Sequence, residues 1–170
     1  MKTSAKTTAF LGLCTALALI LAYVEVLMPP LFVAVPGIKM GLPNIIIIFL
    51  LYRRGAKAAI LTSLLRMILV TMLFGNGMSF FYSLAGGILS MLVMILLRKL
   101  NIFSTVGVSV AGGVMHNVGQ ILMAMLLLET TELIYYLIIL TITGSIAGVF
   151  IGFCGAAMIK KVPNSRFFAN

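Results

Sequence analysis

Long apolar runs, separated by small groups of basic residues, determine what this chain can fold into. A membrane-spanning helix takes about 20 apolar residues, because it rises about 1.5 Å per residue across a hydrocarbon core of about 30 Å. The 170 residues are 62% apolar and 9% charged, with a mean hydropathy of +1.24. A soluble monomer could not enclose so much apolar surface, since about a quarter of the residues in globular domains are charged. We therefore predict one integral membrane domain over residues 1–170.

The apolar runs predict six spans. We place them at about residues 7–28, 44–52, 56–74, 78–97, 105–128 and 133–159. Pro36, Gly37, Gly41 and Pro43 interrupt the stretch before the second span, which favours an ordered loop or a re-entrant segment there. The predicted fold is an all-α bundle of six transmembrane helices.

Basic residues occupy every second connection between the predicted spans. They lie before span 1, between spans 2 and 3, between spans 4 and 5, and after span 6: Lys2, Lys6, Arg53, Arg54, Lys57, Arg98, Lys99, Lys160, Lys161 and Arg166. By the positive-inside rule, both termini are expected in the cytoplasm, with Lys39 as the exception to the pattern.

Carboxylates are scarce, which excludes most enzyme chemistry. The chain has no aspartate, and its only glutamates are Glu25, Glu129 and Glu132. Acid–base pairs, magnesium sites and proton relays depend on carboxylates. The sequence also has no GxxxxGK[ST] nucleotide-binding loop. We predict a protein that is not an enzyme and that has no catalytic residues, metal site or cofactor.

Arg66 lies near the middle of the third predicted span. An arginine at that depth costs at least about 2.5–3.5 kcal/mol and must face the bundle. Two interpretations remain open, a structural ion pair with Glu25 and a cationic anchor for an anionic ligand. If Lys39 folds over the outer mouth, Glu25 neutralises only one of two cations, so a ligand carboxylate, phosphate or diphosphate would complete the balance. Arg66, Glu25 and Lys39 are therefore candidate ligand-binding residues.

A polar stripe marks the fifth predicted span. His116 and Gln120 are four residues apart and share a helix face, with Asn117 beside them. These side chains either form hydrogen bonds between helices or bind the polar head of a ligand. A metal site is not indicated, because the sequence has no second histidine.

The region before the second span contributes further candidates. Asn44 can cap that helix, whose N-terminus offers free N–H groups to an anion. The proline- and glycine-rich segment is either a simple turn or a lid over a ligand site. Polar residues around the turn between spans 3 and 4 could add contacts: Asn76, Ser79 and Tyr82.

Small residues at intervals of four mark helix contacts. Gly144, Gly148 and Gly152 form one such edge, and Gly12 with Ala16 forms another. Faces of this kind let helices approach closely in lipid. Either packing within the bundle or docking to another membrane protein would use them, and docking is most plausible on the first helix.

Two motifs resemble those of a bacterial family. They are Pro-Gly-Ile-Lys-Met-Gly-Leu-Pro-Asn at 36–44 and His-Asn-Val-Gly-Gln at 116–120, supported by Ser-Leu-Ala-Gly-Gly-Ile-Leu-Ser at 83–90. The chain is similar to the Gx transporter family, also described as heptaprenyl diphosphate synthase component I. Pro43 departs from the pattern, which has a small residue such as alanine there.

The resemblance implies a function in uptake. The family is similar in size and span count to the substrate-binding (S) components of energy-coupling factor transporters, which lie in bacterial plasma membranes. Such components bind a vitamin or precursor near the outer face and associate with a transmembrane coupling subunit and two ATPases. They dock through small residues on helix 1, a role that Gly12 and Ala16 could fill here. The family's association with quinone and flavin metabolism suggests a flavin-like, prenyl or quinone-precursor ligand.

Two functional hypotheses follow. The first is a substrate-binding component of an uptake system, which takes a small, anionic and partly apolar ligand from the outside. The alternative is a non-catalytic membrane accessory of heptaprenyl diphosphate synthase, or of a quinone or flavin redox assembly. The chain cannot be the catalytic subunit of a prenyl synthase, because it has no aspartate to hold magnesium on diphosphate.

Overall fold

The computed structural model describes residues 5–28, 41–74 and 77–162, and within these ranges the regular secondary structure is entirely helical. A 3₁₀-helix at Glu132–Tyr135 precedes the last of six α-helices. These are α1 (Ala5–Leu27), α2 (Asn44–Arg54), α3 (Ala56–Phe74), α4 (Gly77–Leu100), α5 (Thr105–Leu127) and α6 (Tyr136–Lys161). The prediction of an all-α fold with six helices is confirmed.

Five of the six helices are long and apolar enough to cross a membrane. The exception is α2, which the apolar runs of the sequence predict as a span. Its 11 residues extend only about 16 Å, roughly half of a hydrocarbon core. Large apolar side chains cover the outside of the long helices, as expected for lipid contact; examples are Leu13, Ile20, Leu61, Ile68 and Met72.

The short helix α2 lies in the interior of the bundle. Its residues Ile45–Leu51 are all buried, as is typical of a helix that is apolar on every side. α2 contacts α1, α3 and α6, and it belongs to the same buried cluster as Met91 and Met94 of α4 and Val108 of α5. The long helices surround it through the neighbouring pairs α1–α3, α3–α4, α4–α5 and α5–α6.

The last turns of α2, α4 and α6 meet at one end of the molecule, which we call the basic end. The Arg53 guanidinium donates hydrogen bonds to the carbonyls of Ile159 and Val162, the latter at 2.6 Å. Arg98 lies 5.3 Å from the centre of the Tyr52 ring and donates to the Tyr52 carbonyl at 3.4 Å. Cations stabilise these helix ends because the terminal carbonyls carry partial negative charge.

The last turns of α1 and α3 meet at the opposite end. The rings of Tyr23 and Phe74 lie 5.0 Å apart. The Glu25 carboxylate accepts a hydrogen bond from the Gly41 N–H at 2.5 Å, which fixes the chain just before α2. Gly41 has a φ of +86°, a conformation that glycine adopts without strain.

The prediction that Asn44 caps α2 is wrong. Pro43, in helical conformation, occupies the N-cap position without a side-chain hydrogen bond, and Asn44 is already the first helical residue. The Asn44 N–H donates to the Gly41 carbonyl at 2.9 Å, so the left-handed turn at Gly41 starts the helix. The Asn44 side chain folds back, with Nδ2 2.8 Å from the position of a Cβ on Gly41.

Glycines allow α5 to pack against α4 on one side and α6 on the other. A Cβ added to Gly119 would lie 2.7 Å from the Ala85 carbonyl oxygen and 2.8 Å from the Gly86 Cα. One added to Gly148 would lie 2.6 Å from the Val110 Cα. The small-residue edge of α6 therefore packs inside the bundle, the first of the two alternatives left open by the sequence.

Candidate ligand-binding site

Arg66 lies on the buried face of α3, about 15 Å along the helix from its first residue. It is only 7% exposed and shares this face with Ala59, Ser63, Met67 and Val70. The guanidinium therefore points into the bundle at mid-helix depth, as the cost of exposing it to lipid requires.

Among the described residues, Arg66 has neither a hydrogen bond nor an ion pair. Its Nε is buried without a partner. Glu25, 9% exposed in the last turns of α1, interacts with Arg66 electrostatically, while its carboxylate also accepts the Gly41 N–H. The two charges attract one another, but the glutamate does not enclose the guanidinium.

His116 and Gln120 approach this region from α5. Both are buried, and both lie against Gly86 of α4, where a Cβ would be 3.1 Å from the His116 Nδ1 and 2.9 Å from the Gln120 Cγ. His116 is near enough to Arg66 for an electrostatic interaction. Arg66 thus interacts electrostatically with Glu25 and His116, and Gln120 lies beside His116 against the same glycine. We call these four predicted residues, Arg66, Glu25, His116 and Gln120, the polar cluster.

Several buried nitrogen and oxygen atoms of the polar cluster form no hydrogen bond with the described residues. The buried atoms without a hydrogen-bond partner in the described part of the chain include Arg66 Nε, His116 Nδ1, and both Oε1 and Nε2 of Gln120. The His116 ring does approach the Gly86 backbone, but its Nδ1 makes no hydrogen bond of ordinary geometry. Such groups are costly in an apolar interior, so a ligand or water would satisfy them.

Asn117 is used differently. Its Nδ2 donates to the Leu140 carbonyl of α6 at 2.6 Å. Gly144 makes room for this contact, since a Cβ there would lie 2.6 Å from Nδ2. The Asn117 amide therefore joins α5 to α6, as the helix–helix alternative anticipates, and its contact with a ligand stays a prediction.

The remaining candidates are more dispersed. Tyr82 is buried in an apolar cluster with Ile121 and Ala124, while Ser79 and Asn44 are partly buried. Their ligand contacts also stay predictions. Two further candidates, Lys39 and Asn76, lie outside the described residues.

Gly12 and Ala16 lie on the outer surface of α1. A Cβ added to Gly12 would have no neighbour within 4 Å. Both residues line a groove of about 480 Å³ between α1 and α3, together with Thr15, Leu61 and Leu65, among others. The predicted docking residues therefore lie on the exposed, lipid-facing surface of α1.

A second groove, of about 530 Å³, lies beside the start of α2. Its lining is almost entirely apolar and includes Met28, Leu42, Ala147, Phe150 and Ile151. Leu42 follows Gly41, whose N–H is bound by Glu25. This groove therefore lies next to the segment that Glu25 holds in place.

Two adjacent glycines of α4, Gly86 and Gly87, also shape the site, although they are not among the site residues predicted from the sequence. Gly86 faces α5, while a Cβ on Gly87 would lie 2.5 Å from Cε of Met67 on α3. This pair allows α3 and α5 to approach α4 from two sides, which brings Arg66 near His116. Paired glycines in an apolar helix were the available signal.

The helical bundle and its buried polar cluster define a multi-pass membrane protein with a candidate ligand site between α3, α4 and α5. The chain belongs to the family described as heptaprenyl diphosphate synthase component I, whose model matches residues 14–158. This confirms the family resemblance found in the sequence, and the description implies a partner component. Comparison with curated proteins and with solved structures gives no match, so the likeness to S components stays a proposal.

Proposed function

We propose that this protein is a membrane-embedded binding component for a small, anionic and partly apolar ligand. The observation that carries the proposal is the Arg66 guanidinium, buried at mid-helix depth without a hydrogen bond or ion pair to any described residue. An intramembrane cation costs at least about 2.5–3.5 kcal/mol. A carboxylate, phosphate or diphosphate would offset this cost through charge-assisted hydrogen bonds.

The polar cluster and the neighbouring candidate residues contribute to binding in different ways. Arg66 and Lys39 attract the anion, and Glu25 reduces the net positive charge of the site. His116, Asn117 and Gln120 bind other polar groups of the ligand. Contacts nearer the rim come from Asn44, Asn76, Ser79 and Tyr82. An apolar part of the ligand suits the surroundings, because the largest buried cluster of the bundle consists of apolar side chains.

In the uptake form of the proposal, the ligand enters from outside a bacterial plasma membrane and both termini lie in the cytoplasm. The sequence has no nucleotide-binding loop, so energy comes from partner ATPases through a coupling subunit, as in energy-coupling factor transporters. Gly12 and Ala16 form the docking surface for that subunit. The accessible groove beside them supports this assignment.

The family description favours a second candidate. As component I of a synthase, the protein would be a non-catalytic membrane accessory that holds a prenyl diphosphate, or a substrate of a quinone or flavin assembly, for a partner. Affinity purification from native membranes separates the two candidates. Recovery of an ATPase pair with a membrane coupling subunit supports uptake, whereas recovery of a soluble, aspartate-rich synthase supports the accessory function.

The anchor function of Arg66 is tested by Arg66→Met, which removes the charge and keeps an unbranched apolar side chain. We expect the variant to stay folded and monodisperse in detergent and to retain at least about tenfold less co-purifying anion, because a charge-assisted hydrogen bond contributes about 1.5–3 kcal/mol. Mass spectrometry of the small molecules released per mole of protein measures the loss.

Lys57→Met is the matched control, because Lys57 is an exposed cation on the same helix. It should retain the ligand at the wild-type level. Wild-type retention by Arg66→Met would refute the anchor function. Loss of folding in Arg66→Met would instead indicate a structural ion pair.

A further inference from the structure

Among the residues of the polar cluster, Gln120 places the narrowest limit on the chemistry of a ligand. Its side chain is 0% exposed, and both Oε1 and Nε2 lack a hydrogen-bond partner among the described residues. It lies about 22 Å along α5 from the basic end, roughly one helical turn beyond the depth of Arg66 and His116. A carboxamide has two N–H donors and one acceptor oxygen. Neither the Gln120 nitrogen nor its oxygen forms a hydrogen bond with a described residue.

Within the described residues, the packing around Gln120 explains why no side chain bonds the amide. Gly86 of α4 lies opposite Gln120 and has no side chain. A Cβ added to Gly86 would lie 2.9 Å from the Gln120 Cγ. On α5, the buried residues one turn before it, His116 and Asn117, do not bond the amide. The buried residues that follow it, Ile121 and Ala124, are apolar. A purely structural glutamine would bond across the helix contact, as Asn117 does to Leu140. Gln120 makes no such bond to any residue in the ranges 5–28, 41–74 and 77–162.

We infer that the ligand carries, besides its anionic group, an edge with a hydrogen-bond donor next to an acceptor, such as an imide, a lactam or a primary amide, and that Gln120 binds this edge. The inference deepens the proposed function and rests on it. A carboxamide pairs with such an edge through two hydrogen bonds, which satisfies Oε1 and Nε2 together. A phosphate on a plain hydrocarbon chain offers acceptors only, so it would satisfy Arg66 and leave Oε1 of Gln120 without a donor.

The first test concerns the ligand-free protein. Gln120→Met removes two unpaired polar atoms at nearly constant volume. We expect its thermal midpoint in detergent to rise by about 2–4 °C. Leu122→Met, at an exposed position of the same helix, should leave the midpoint unchanged. A fall in the midpoint of Gln120→Met would show that the amide supports the fold, and would overturn the inference.

The second test uses three phosphate probes with wild type, Gln120→Met and Arg66→Met. Thymidine 5′-phosphate has an imide edge, its N3-methyl derivative lacks the imide donor, and geranyl phosphate has no such edge. In wild type we expect N3-methylation to weaken binding by about tenfold, the size of a lost buried hydrogen bond. In Gln120→Met this difference should disappear, while in Arg66→Met all binding should weaken.

The outcomes separate this inference from the proposed function. Equal binding of the two thymidine phosphates by wild type overturns the inference. So does binding of geranyl phosphate alone, in an Arg66-dependent manner, but that result leaves the proposed function standing. Binding that does not depend on Arg66, or no binding of any probe at millimolar concentration, counts against both.

Discussion

At the scale of single residues, Glu25 and Arg66 determine the electrostatics of the site. The carboxylate attracts the guanidinium and also binds the Gly41 N–H. One group thus holds the start of α2 and partly neutralises the anchor. Under the proposed function, an anionic ligand that reaches Arg66 is repelled by Glu25, and this repulsion lowers the affinity for anions.

Replacing Glu25 by glutamine isolates the charge from the hydrogen bond. Glu25→Gln keeps an oxygen that can accept the Gly41 N–H and removes the negative charge. We expect anion binding to become tighter by about 1 kcal/mol, or roughly fivefold, as expected for a partly screened charge within the bundle. The affinity of purified protein for the co-purifying anion, measured by isothermal titration calorimetry, checks this expectation.

Glu129→Gln provides the control, because it removes a carboxylate at an exposed position and should change the affinity little. A Glu25→Gln protein that aggregates or loses ligand would indicate that Arg66 depends on Glu25 as its structural counterion. In that case the anchor interpretation fails.

The sequence indicates which residues form the polar cluster, but it does not indicate which hydrogen bonds they make. Arg66 is conspicuous as a charge inside an apolar run, and His116 and Gln120 follow from a spacing of four. The unpaired state of Gln120 is different, because it depends on which residue of α4 lies opposite. Gly86 occupies that position, and helix periodicity alone does not specify which face of α4 meets α5.

At the scale of helices, the small-residue edges of α6 and α1 look alike in sequence and differ in the structure. Gly148 lies against the backbone of α5, whereas Gly12 has no neighbour where a Cβ would be. The spacing predicts a close contact in both cases but does not identify the partner. Packing within the bundle uses the α6 edge, and the α1 edge remains available for another protein.

Because of this contrast, a glycine-to-alanine substitution should have different effects on stability at the two edges. Gly148→Ala places a methyl group 2.6 Å from the Val110 Cα, so α5 and α6 must separate, which typically costs about 1–3 kcal/mol. Gly12→Ala should leave stability within about 0.5 kcal/mol of wild type, as at an unconstrained surface position. Thermal unfolding in detergent or steric trapping in bicelles measures both.

A functional comparison completes this experiment. If α1 docks a partner, Gly12→Leu should weaken co-purification of the partner while the purified protein stays as stable as wild type. Unchanged recovery of the partner by Gly12→Leu would contradict the docking assignment. Equal stability of Gly148→Ala and wild type would contradict the close α5–α6 contact.

The helix α2 marks the limit of what hydrophobic runs reveal. The chain's apolar runs predict six helices, and residues 5–28, 41–74 and 77–162 contain six α-helices. The same apolar composition does not distinguish a lipid-facing helix from one enclosed by protein. Ile45–Leu51 are buried because longer helices surround them. The short segment predicted at about residues 44–52 was the sign in the sequence that α2 is not a complete span.

At the scale of the whole molecule, the two ends of the bundle differ in charge. The basic end carries Arg53 and Arg98 at helix termini, and the opposite end carries Glu129 and Glu132. Because cytoplasmic loops are rich in lysine and arginine, we expect the basic end to face the cytoplasm. Glu25 then lies near the outer surface, and the polar cluster extends inwards from it.

This orientation can be measured with single cysteines in a background with Cys14→Ala and Cys154→Ala. Ile102→Cys lies in the exposed connection between α4 and α5 at the basic end, and Thr131→Cys lies between α5 and α6 at the other. In intact right-side-out vesicles, a membrane-impermeant maleimide should label position 131 at once and position 102 only after permeabilisation, since the reagent reaches one surface alone. Labelling in the reverse order would place the end of the bundle that carries Glu25 in the cytoplasm. Uptake from outside would then be impossible in the proposed form, and the accessory function would be the better account of the same site.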